Sequence, residues 1–278
     1  MTIALTGATG ALGQLALKAL KARAPQADLV ALVRDPAKIS GTPARAFDYT
    51  KSETLAPALK GIDTLVLISS NDFNDRAGQH HAVITAAQTA GVKRIVYTSI
   101  LKGDASPMIL AQDHITTEAA LKAAGIPATI LRNGWYTENY TGSLKASVEH
   151  GALIGASGDG RIASAARADY AEAIAVTALD DSHAGKTYEL AGDVPHTMAD
   201  FAAEVSKQTG KTIPFNNLPK DTYAGILQSF GLPEAFANIL ADCDDTASHG
   251  SLLDESHTLS KLIGRHTTPI AATIKAAL

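Results

Sequence analysis

The chain has 278 residues, of which 24 are lysine or arginine and 28 are aspartate or glutamate, so its net charge is −4. Hydrophobic residues make up 46%, and no apolar run is long enough to insert into a membrane. The basic residues are dispersed, which argues against a nucleic-acid-binding surface. The single Cys243 excludes an internal disulfide. With no visible secretory signal, we expect a cytoplasmic protein with an enzyme-like composition.

A glycine-rich loop separates the first predicted strand, Thr2–Thr6, from apolar residues at helical spacing that begin at Gln14. In such a loop Gly7 suits the tight turn, Gly10 the approach of a pyrophosphate, and Gly13 close packing of the helix on the strand. The N–H groups at the start of the helix then face the phosphates. We therefore predict dinucleotide binding by Gly7, Ala8, Thr9, Gly10, Ala11, Leu12 and Gly13.

Strands and helices alternate through the first half of the chain. Further strands are predicted at residues 28–33, 44–47, 64–68, 94–98 and 128–131, with helices notably at 79–90 and 111–124. This rhythm predicts an α/β Rossmann-type fold with a doubly wound parallel sheet. We place an NADP-binding domain at residues 1–150. Residues 151–278 are expected to return to the sheet and form a smaller, mostly helical substrate lobe.

The later part of the chain shows helical patterns separated by turn residues. Helices are predicted at residues 197–210, 223–231, 233–242 and 258–263, and another runs to Leu179 with Asp169 as its N-cap. We expect these helices to close over the substrate, as lids do in comparable enzymes.

Arg34 follows the second predicted strand and stands 21 positions beyond Gly13. An NAD-binding chain usually carries an acidic residue there for the ribose 2′-hydroxyl. The planar, permanently charged guanidinium of arginine suits a 2′-phosphate instead. We therefore predict that Arg34 selects NADPH; the alternative is a surface residue that pairs with Asp35.

Polar residues also follow the third and fourth predicted strands. Asp48 and Tyr49 come after the third strand and are expected near the adenine. Ser69, Ser70 and Asn71 come after the fourth strand and are expected to line the path of the cofactor, because ligands of such sheets lie outside the carboxyl ends of the strands.

The Tyr–Lys pair that protonates the alkoxide in many reductases is missing, because none of the seven tyrosines has a lysine four positions later. On the predicted helix 111–124, His114 and Glu118 are four residues apart and so share one face. They are candidates for a pair that donates or relays a proton; the alternative is a structural hydrogen bond. Hydride reduction of a quinone gives an anion resembling a phenolate of pKa about 10, which solvent can protonate.

The segment after the sixth predicted strand contains the only tryptophan of the chain. Its amides suit a nicotinamide carboxamide and its aromatic rings suit a flat ligand, although the rings could instead belong to the core. Cofactor contacts are predicted for Asn133, Gly134, Trp135, Tyr136, Thr137 and Glu138. Substrate contacts are predicted for Trp135, Tyr136 and Asn139. Tyr136 and His114 are the catalytic candidates.

Several motifs together resemble one family. They are GATGxxG at 7–13, VRDPAK at 33–38, LISS at 67–70 and LRNGWY at 131–136. The chain is similar to the bacterial type-2 NAD(P)H:quinone oxidoreductases, in the NmrA-like branch of the atypical short-chain dehydrogenases. The resemblance implies NADPH on the Gly7 loop and on Arg34, and cofactor or substrate contacts from residues 133–138.

On this basis we predict reduction of a quinone, or of a similar flat acceptor, by direct hydride transfer without metal or flavin, in a monomer or homodimer. Two alternatives stay open. One is a reductase of triphenylmethane or azo dyes or other conjugated xenobiotics, and the other is an NADP-binding redox sensor without turnover. A metal site at His80 and His81 is rejected, because neighbours on a helix diverge by about 100° and no third ligand is seen.

Overall fold

A computed structural model describes all 278 residues. The strands are β1 (Thr2–Thr6), β2 (Asp28–Val33), β3 (Ala44–Ala46), β4 (Thr64–Leu67), β5 (Arg94–Ile100), β6 (Ala128–Asn133), β7 (Leu153–Gly155), β8 (Thr187–Leu190) and β9 (Phe215–Asn217). The α-helices are α1 (Ala11–Arg23), α2 (Ser52–Ala58), α3 (Arg76–Ala90), α4 (Ala111–Ala124), α5 (Glu138–Thr141), α6 (Leu144–His150), α7 (Arg167–Leu179), α8 (Met198–Thr209), α9 (Lys220–Ser229), α10 (Glu234–Ala247), α11 (Thr258–Ile263) and α12 (Ile270–Ala277).

Seven strands form one sheet in the order β3-β2-β1-β4-β5-β6-β8. The pairs from β3 through β6 are all parallel. The order reverses between β1 and β4, so their carboxyl ends flank the switch point where doubly wound sheets bind ligands. The predicted α/β Rossmann fold is confirmed. A second sheet pairs β7 with β9 in parallel.

The central strands are buried because both faces of a parallel sheet are covered, and the middle of each strand is correspondingly apolar. Leu5, Leu65 and Leu67 are completely or almost completely buried. They mark a core that fixes the strand register and thereby the positions of the residues at the carboxyl edge.

Two strands are longer than predicted. β5 continues through Ile100 and β6 through Asn133, and these two residues are still in register with each other. Ser99 and Arg132 are therefore strand residues and not loop residues. Polar side chains at these positions hid the strand ends, because the sequence prediction followed apolar runs.

Several helix ends also differ from prediction. α7 begins at Arg167, so Asp169 is a buried residue of its first turn and not its N-cap. α10 starts close to its predicted position but continues to Ala247. Thr197, predicted as the first residue of its helix, is the N-cap of α8 and forms a reciprocal capping box with Asp200.

The chain divides into two compact units, each built from separate segments. The first unit comprises residues 1–103, 113–133 and 167–188, and the second comprises residues 104–112, 134–166 and 189–278. The predicted boundary at residue 150 lies within a segment of the second unit, and residues 167–188, from the part of the chain predicted to return to the sheet, belong to the first unit. None of the helices combines the length and apolarity that a membrane span needs.

Candidate functional site

The glycine loop joins β1 to α1 in the first unit. Gly7 has a φ of +61°, and its carbonyl accepts the Gly10 N–H at 2.8 Å, which closes the tight turn. A Cβ on Gly13 would overlap the Gly7 carbonyl oxygen and lie 2.8 Å from the Ala8 Cα, so only glycine fits there. The conformational roles predicted for Gly7 and Gly13 are confirmed. Gly10 is the N-cap of α1 and provides no side chain, which leaves the first N–H groups of the helix to a ligand.

A cavity of about 460 Å³ opens beside this loop. Ala8 and Thr9 of the loop line it together with Lys18 and Lys21 of α1 and Lys38. Three lysines around one cavity favour an anionic ligand; the ammonium group of Lys21 also donates to the Gly41 carbonyl at 2.8 Å. Sequence reasoning missed the α1 lysines. Their spacing could have indicated that they line the same cavity as Gln14, because residues 14, 18 and 21 share one face of α1.

Arg34 is exposed directly after β2, next to a short 3₁₀ turn at Pro36–Lys38. The Asp35 carboxylate caps this turn by accepting the Ala37 N–H at 3.1 Å. Burial raises the pKa of Asp48, but hydrogen bonds from Thr50 and the positive charges of Lys51 and Arg34 outweigh it and lower this pKa.

The first two residues after β4 are held by side chains from other elements. The Ile68 N–H donates to Thr6 Oγ1 at 2.9 Å, and the Tyr49 hydroxyl donates to the Ile68 carbonyl at 2.8 Å. The Ser69 N–H donates to Thr98 Oγ1 at 2.9 Å. The Tyr49 hydroxyl, expected near the adenine, therefore serves to hold the backbone, and burial raises its pKa.

Ser70 is held by α3. Its N–H donates to His80 Nε2 at 2.9 Å, and its carbonyl accepts from Arg76 Nε at 2.7 Å. Its hydroxyl donates to Gln79 Oε1 at 2.7 Å. Every polar group of this residue thus has a partner on one helix, which fixes the turn on which the predicted cofactor contacts Ser69, Ser70 and Asn71 lie.

The predicted pair of His114 and Glu118 does not form. His114 Nδ1 is 2.8 Å from the Tyr97 hydroxyl, and both rings are buried. Burial, followed by the charge of Arg76 and the neighbouring His80, holds the pKa of His114 well below its usual range. His114 is therefore a neutral imidazole at pH 7. Its ring can take part in hydrogen bonds, but it carries no acidic imidazolium proton.

Glu118 instead binds the end of β6. Arg132 donates to both carboxylate oxygens, at 3.0 Å from Nε and 2.6 Å from Nη2, and Ser99 Oγ donates to Oε1 at 2.6 Å. The pair is largely buried, with 17–18% of each side chain exposed. This bidentate bridge ties α4 to β5 and β6. The sequence prediction lacked it because Arg132 was assigned to a loop.

Most of the segment after β6 lies in the second unit and is fixed through its backbone. The Gly134 N–H donates to the Leu190 carbonyl at 2.7 Å. The Trp135 carbonyl accepts the Ala165 N–H at 3.1 Å, and the Thr137 N–H donates to the Ala165 carbonyl at 3.0 Å.

Side-chain exposure in this segment varies. Trp135, Tyr136 and Glu138 are partly exposed, and Asn139 is exposed. Thr137 is completely buried, with its hydroxyl 3.0 Å from Ser164 Oγ, so its side chain has a structural partner. Asn133, the last residue of β6, is buried in the first unit. The functional roles predicted for these residues stay predictions.

No group of three or more His, Cys, Asp or Glu side chains is arranged to hold a metal ion. His80 and His81 illustrate why, because His80 is buried in a hydrogen-bond network whereas its neighbour is exposed.

Comparison with known proteins shows which family shares this fold and glycine loop. A model of the NAD(P)H-binding family matches residues 7–181. Quinone oxidoreductase 2 of Escherichia coli (strain K12) is 50% identical over 277 residues, which cover 98% of this chain and 97% of that protein. The chain belongs to the NAD(P)H-binding family, and its resemblance to the bacterial type-2 quinone oxidoreductases is confirmed.

Solved structures agree. The Escherichia coli NADPH-dependent quinone oxidoreductase complexed with NADPH has a TM-score of 0.95 at 49% identity, with 99% of both chains covered. The Citrobacter triphenylmethane reductase complexed with NADP(H) has a TM-score of 0.94 at 36% identity, covering 99% of this chain and all of that one.

Proposed function

We propose that this protein is an NADPH-dependent reductase of quinones. The observation that carries the proposal is the glycine loop, with Gly13 packed against the Gly7 carbonyl, beside a cavity lined by three lysines. The similarity to a quinone oxidoreductase along nearly the whole chain supports the acceptor class.

The residues of the first unit fit the cofactor. The N–H groups at the start of α1 would bind the pyrophosphate, because Gly10 leaves them without a side-chain cap. Arg34 and Lys38 would bind the 2′-phosphate, and Ser69, Ser70 and Asn71 would line the path of the dinucleotide. When bound, NADPH supplies the hydride that the reaction transfers.

The acceptor side has little need of a charged acid. The quinone gains a hydride and becomes a hydroquinone anion, whose negative charge is delocalised and which takes a proton from water. His114 is neutral because burial lowers its pKa, so it offers a hydrogen bond and not an acidic proton. Trp135, Tyr136 and Asn139 would contact the acceptor. These residues would thereby orient the acceptor towards the nicotinamide and exclude water from the reacting atoms.

Steady-state oxidation of NADPH, with and without a panel of small quinones, tests the proposal. We expect turnover that depends on the quinone. Because one neighbour is a triphenylmethane reductase, the panel includes a triphenylmethane and an azo dye. Faster turnover of the dyes would reassign the substrate class, and NADPH binding without turnover of any acceptor would favour the sensor alternative.

Two variants test the roles of the catalytic candidates. We expect Tyr136→Ala to lower kcat/KM for quinone more than His114→Ala does, because solvent can protonate the product anion. Loss of activity in His114→Ala with unchanged NADPH affinity would show that proton donation by this side chain is required.

A further inference from the structure

His80 lies in the second turn of α3 and is completely buried, whereas His81 beside it is exposed. Both of its ring nitrogens are bonded. Nε2 is 2.9 Å from the Ser70 N–H, and Nδ1 is 2.9 Å from the Thr117 hydroxyl oxygen. His80 thus connects the turn after β4 to α4.

The directions of these hydrogen bonds fix the proton of the imidazole ring. A backbone N–H can only donate, so Nε2 of His80 must present a lone pair to Ser70. The Thr117 hydroxyl donates to the Asp113 carbonyl at 2.7 Å, so its oxygen is left to accept from His80 Nδ1. His80 is therefore neutral, with its proton on Nδ1.

The surroundings oppose a second proton on this ring. Arg76 donates to the Ser70 carbonyl from the same helix, so its positive charge lies on the same turn. The Tyr97 hydroxyl also lies near the ring, 3.5 Å from Nδ1, on the side that already carries the ring proton. An imidazolium would set an N–H against the Ser70 N–H and would break the bond that holds the turn.

We propose that His80 is a positioning residue for the cofactor. Its Nε2 holds the Ser70 N–H and thereby fixes the turn of Ser69, Ser70 and Asn71 in its binding conformation. This inference rests on the proposed function, because that function assigns these three residues to the path of NADPH. The second bond, to Thr117, fixes the ring and does not itself position the turn.

Two measurements on the wild-type protein without cofactor test the hydrogen bonds. Nitrogen-15 NMR of the histidine ring should show the tautomer with the proton on Nδ1, and the Ser70 amide should exchange slowly with solvent. A ring protonated on Nε2, or a Ser70 amide that exchanges as fast as the exposed Asn71, would overturn the inference. Neither result depends on whether NADPH is the cofactor.

Two conservative variants separate the two bonds of His80. The carbonyl oxygen of glutamine reaches the position of Nε2, so His80→Gln keeps an acceptor for Ser70. The amide nitrogen of asparagine reaches the position of Nδ1, so His80→Asn keeps the donor to Thr117 and loses the bond to Ser70. His81→Gln, one position along the helix, controls for removal of an exposed histidine.

Dissociation constants for NADPH decide the outcome. We expect His80→Asn to bind NADPH about three- to tenfold more weakly, as the loss of one hydrogen bond allows. His80→Gln and His81→Gln should stay within about threefold of wild type. The effect should appear in the NADPH affinity and much less in kcat at saturating cofactor.

Equal affinity of the asparagine and glutamine variants would overturn the positioning role. Stronger weakening in His80→Gln than in His80→Asn would assign the role to Thr117 and overturn it as well. Absence of NADPH binding by the wild-type protein would instead refute the proposed function, which keeps the two failures apart.

Discussion

Two turns follow neighbouring parallel strands, and they are shaped in opposite ways. The turn after β1 is shaped by glycines: Gly7 adopts a left-handed conformation and Gly13 leaves room for its carbonyl. The turn after β4 contains no glycine and is shaped by buried polar side chains that bind its backbone. The first depends on the absence of side chains, and the second depends on their presence.

This difference sets how each turn responds to mutation. A methyl group on Gly13 of the glycine loop meets backbone atoms that cannot move away, so the response is steep. A lost hydrogen bond in the turn after β4 removes one of several anchors, so the response is graded. Variants in the two turns should therefore separate into large and moderate effects.

The largest effect is expected for Gly13→Ala, because its Cβ would overlap the Gly7 carbonyl oxygen. Overpacking of this kind costs about 1–3 kcal/mol of unfolding free energy. It also displaces the loop, so NADPH affinity should fall by about a hundredfold or more. Gly225→Ala in α9 is the matched control, because nothing lies within 4 Å of its Cβ. Urea unfolding and NADPH titration of both variants are the measurements, and equal behaviour would contradict the steric account.

The two turns also differ in how far the sequence revealed them. All determinants of the glycine loop lie within seven consecutive residues, so a strand, a motif and a helix sufficed to predict it. The turn after β4 takes its partners from β1, β5, α3 and the loop after β3, through Thr6, Thr98, His80 and Tyr49. No local pattern links such distant residues, and only the fold brings them together.

The same reasoning explains the error at His114 and Glu118. Their spacing on one helix face was read correctly, since α4 has the predicted bounds. Their partners could not be predicted from the helix, because they come from β5 and β6. Tyr97 contacts the imidazole, and Ser99 and Arg132 bind the carboxylate. Spacing within a helix predicts which side chains share a face, and tertiary neighbours decide what each one binds.

A second prediction tests whether the charge of Arg34 adds to the binding of NADPH by the backbone of the glycine loop. Arg34→Ala should weaken NADPH binding about ten- to a hundredfold, because a charge-assisted hydrogen bond to the 2′-phosphate contributes about 1.5–3 kcal/mol, partly offset by solvent. NADH binding should hardly change. Arg34→Asp should repel the phosphate and favour NADH. The measurement is kcat/KM with both cofactors at fixed ionic strength. An unchanged ratio in both variants would remove Arg34 from the site and leave recognition to the lysines of the cavity.

A third prediction removes an anchor of the turn after β4. Thr6→Val deprives the part-buried Ile68 N–H of its acceptor and also removes the hydroxyl 2.6 Å from the Tyr49 hydroxyl. An unsatisfied buried donor costs about 1–3 kcal/mol. Thr64→Val is the control, because the hydroxyl of this buried threonine makes only a long contact, 3.8 Å, to the sulfur of Met1. We expect the free energy of unfolding to fall by about 1–2 kcal/mol more in Thr6→Val than in Thr64→Val. Equal losses would show that the backbone of this turn needs no side-chain anchor.

The smallest effect concerns the pH dependence of the free energy of unfolding, to which His80 contributes through the turn after β4. Burial, followed by the charge of Arg76, lowers the pKa of His80 from its ordinary value of 6.5 to about 3. The unfolded chain therefore binds a proton below pH 6.5 that the folded protein refuses. Stability from this group is complete above pH 6.5 and is lost progressively as the pH falls towards 3. Between pH 7 and pH 6 the loss is about 0.7 kcal/mol.

His80→Gln cannot titrate, so its free energy of unfolding should fall by about 0.7 kcal/mol less than that of wild type over this interval. Urea unfolding at pH 7 and pH 6 at constant ionic strength measures the difference. His114 contributes in the same direction, because its pKa is also lowered, so part of the wild-type slope should remain in the variant. A variant slope equal to that of wild type would mean that His80 accepts a proton in the folded state. The bond to the Ser70 N–H would then fail on acidification, and the turn after β4 would not depend on a neutral imidazole.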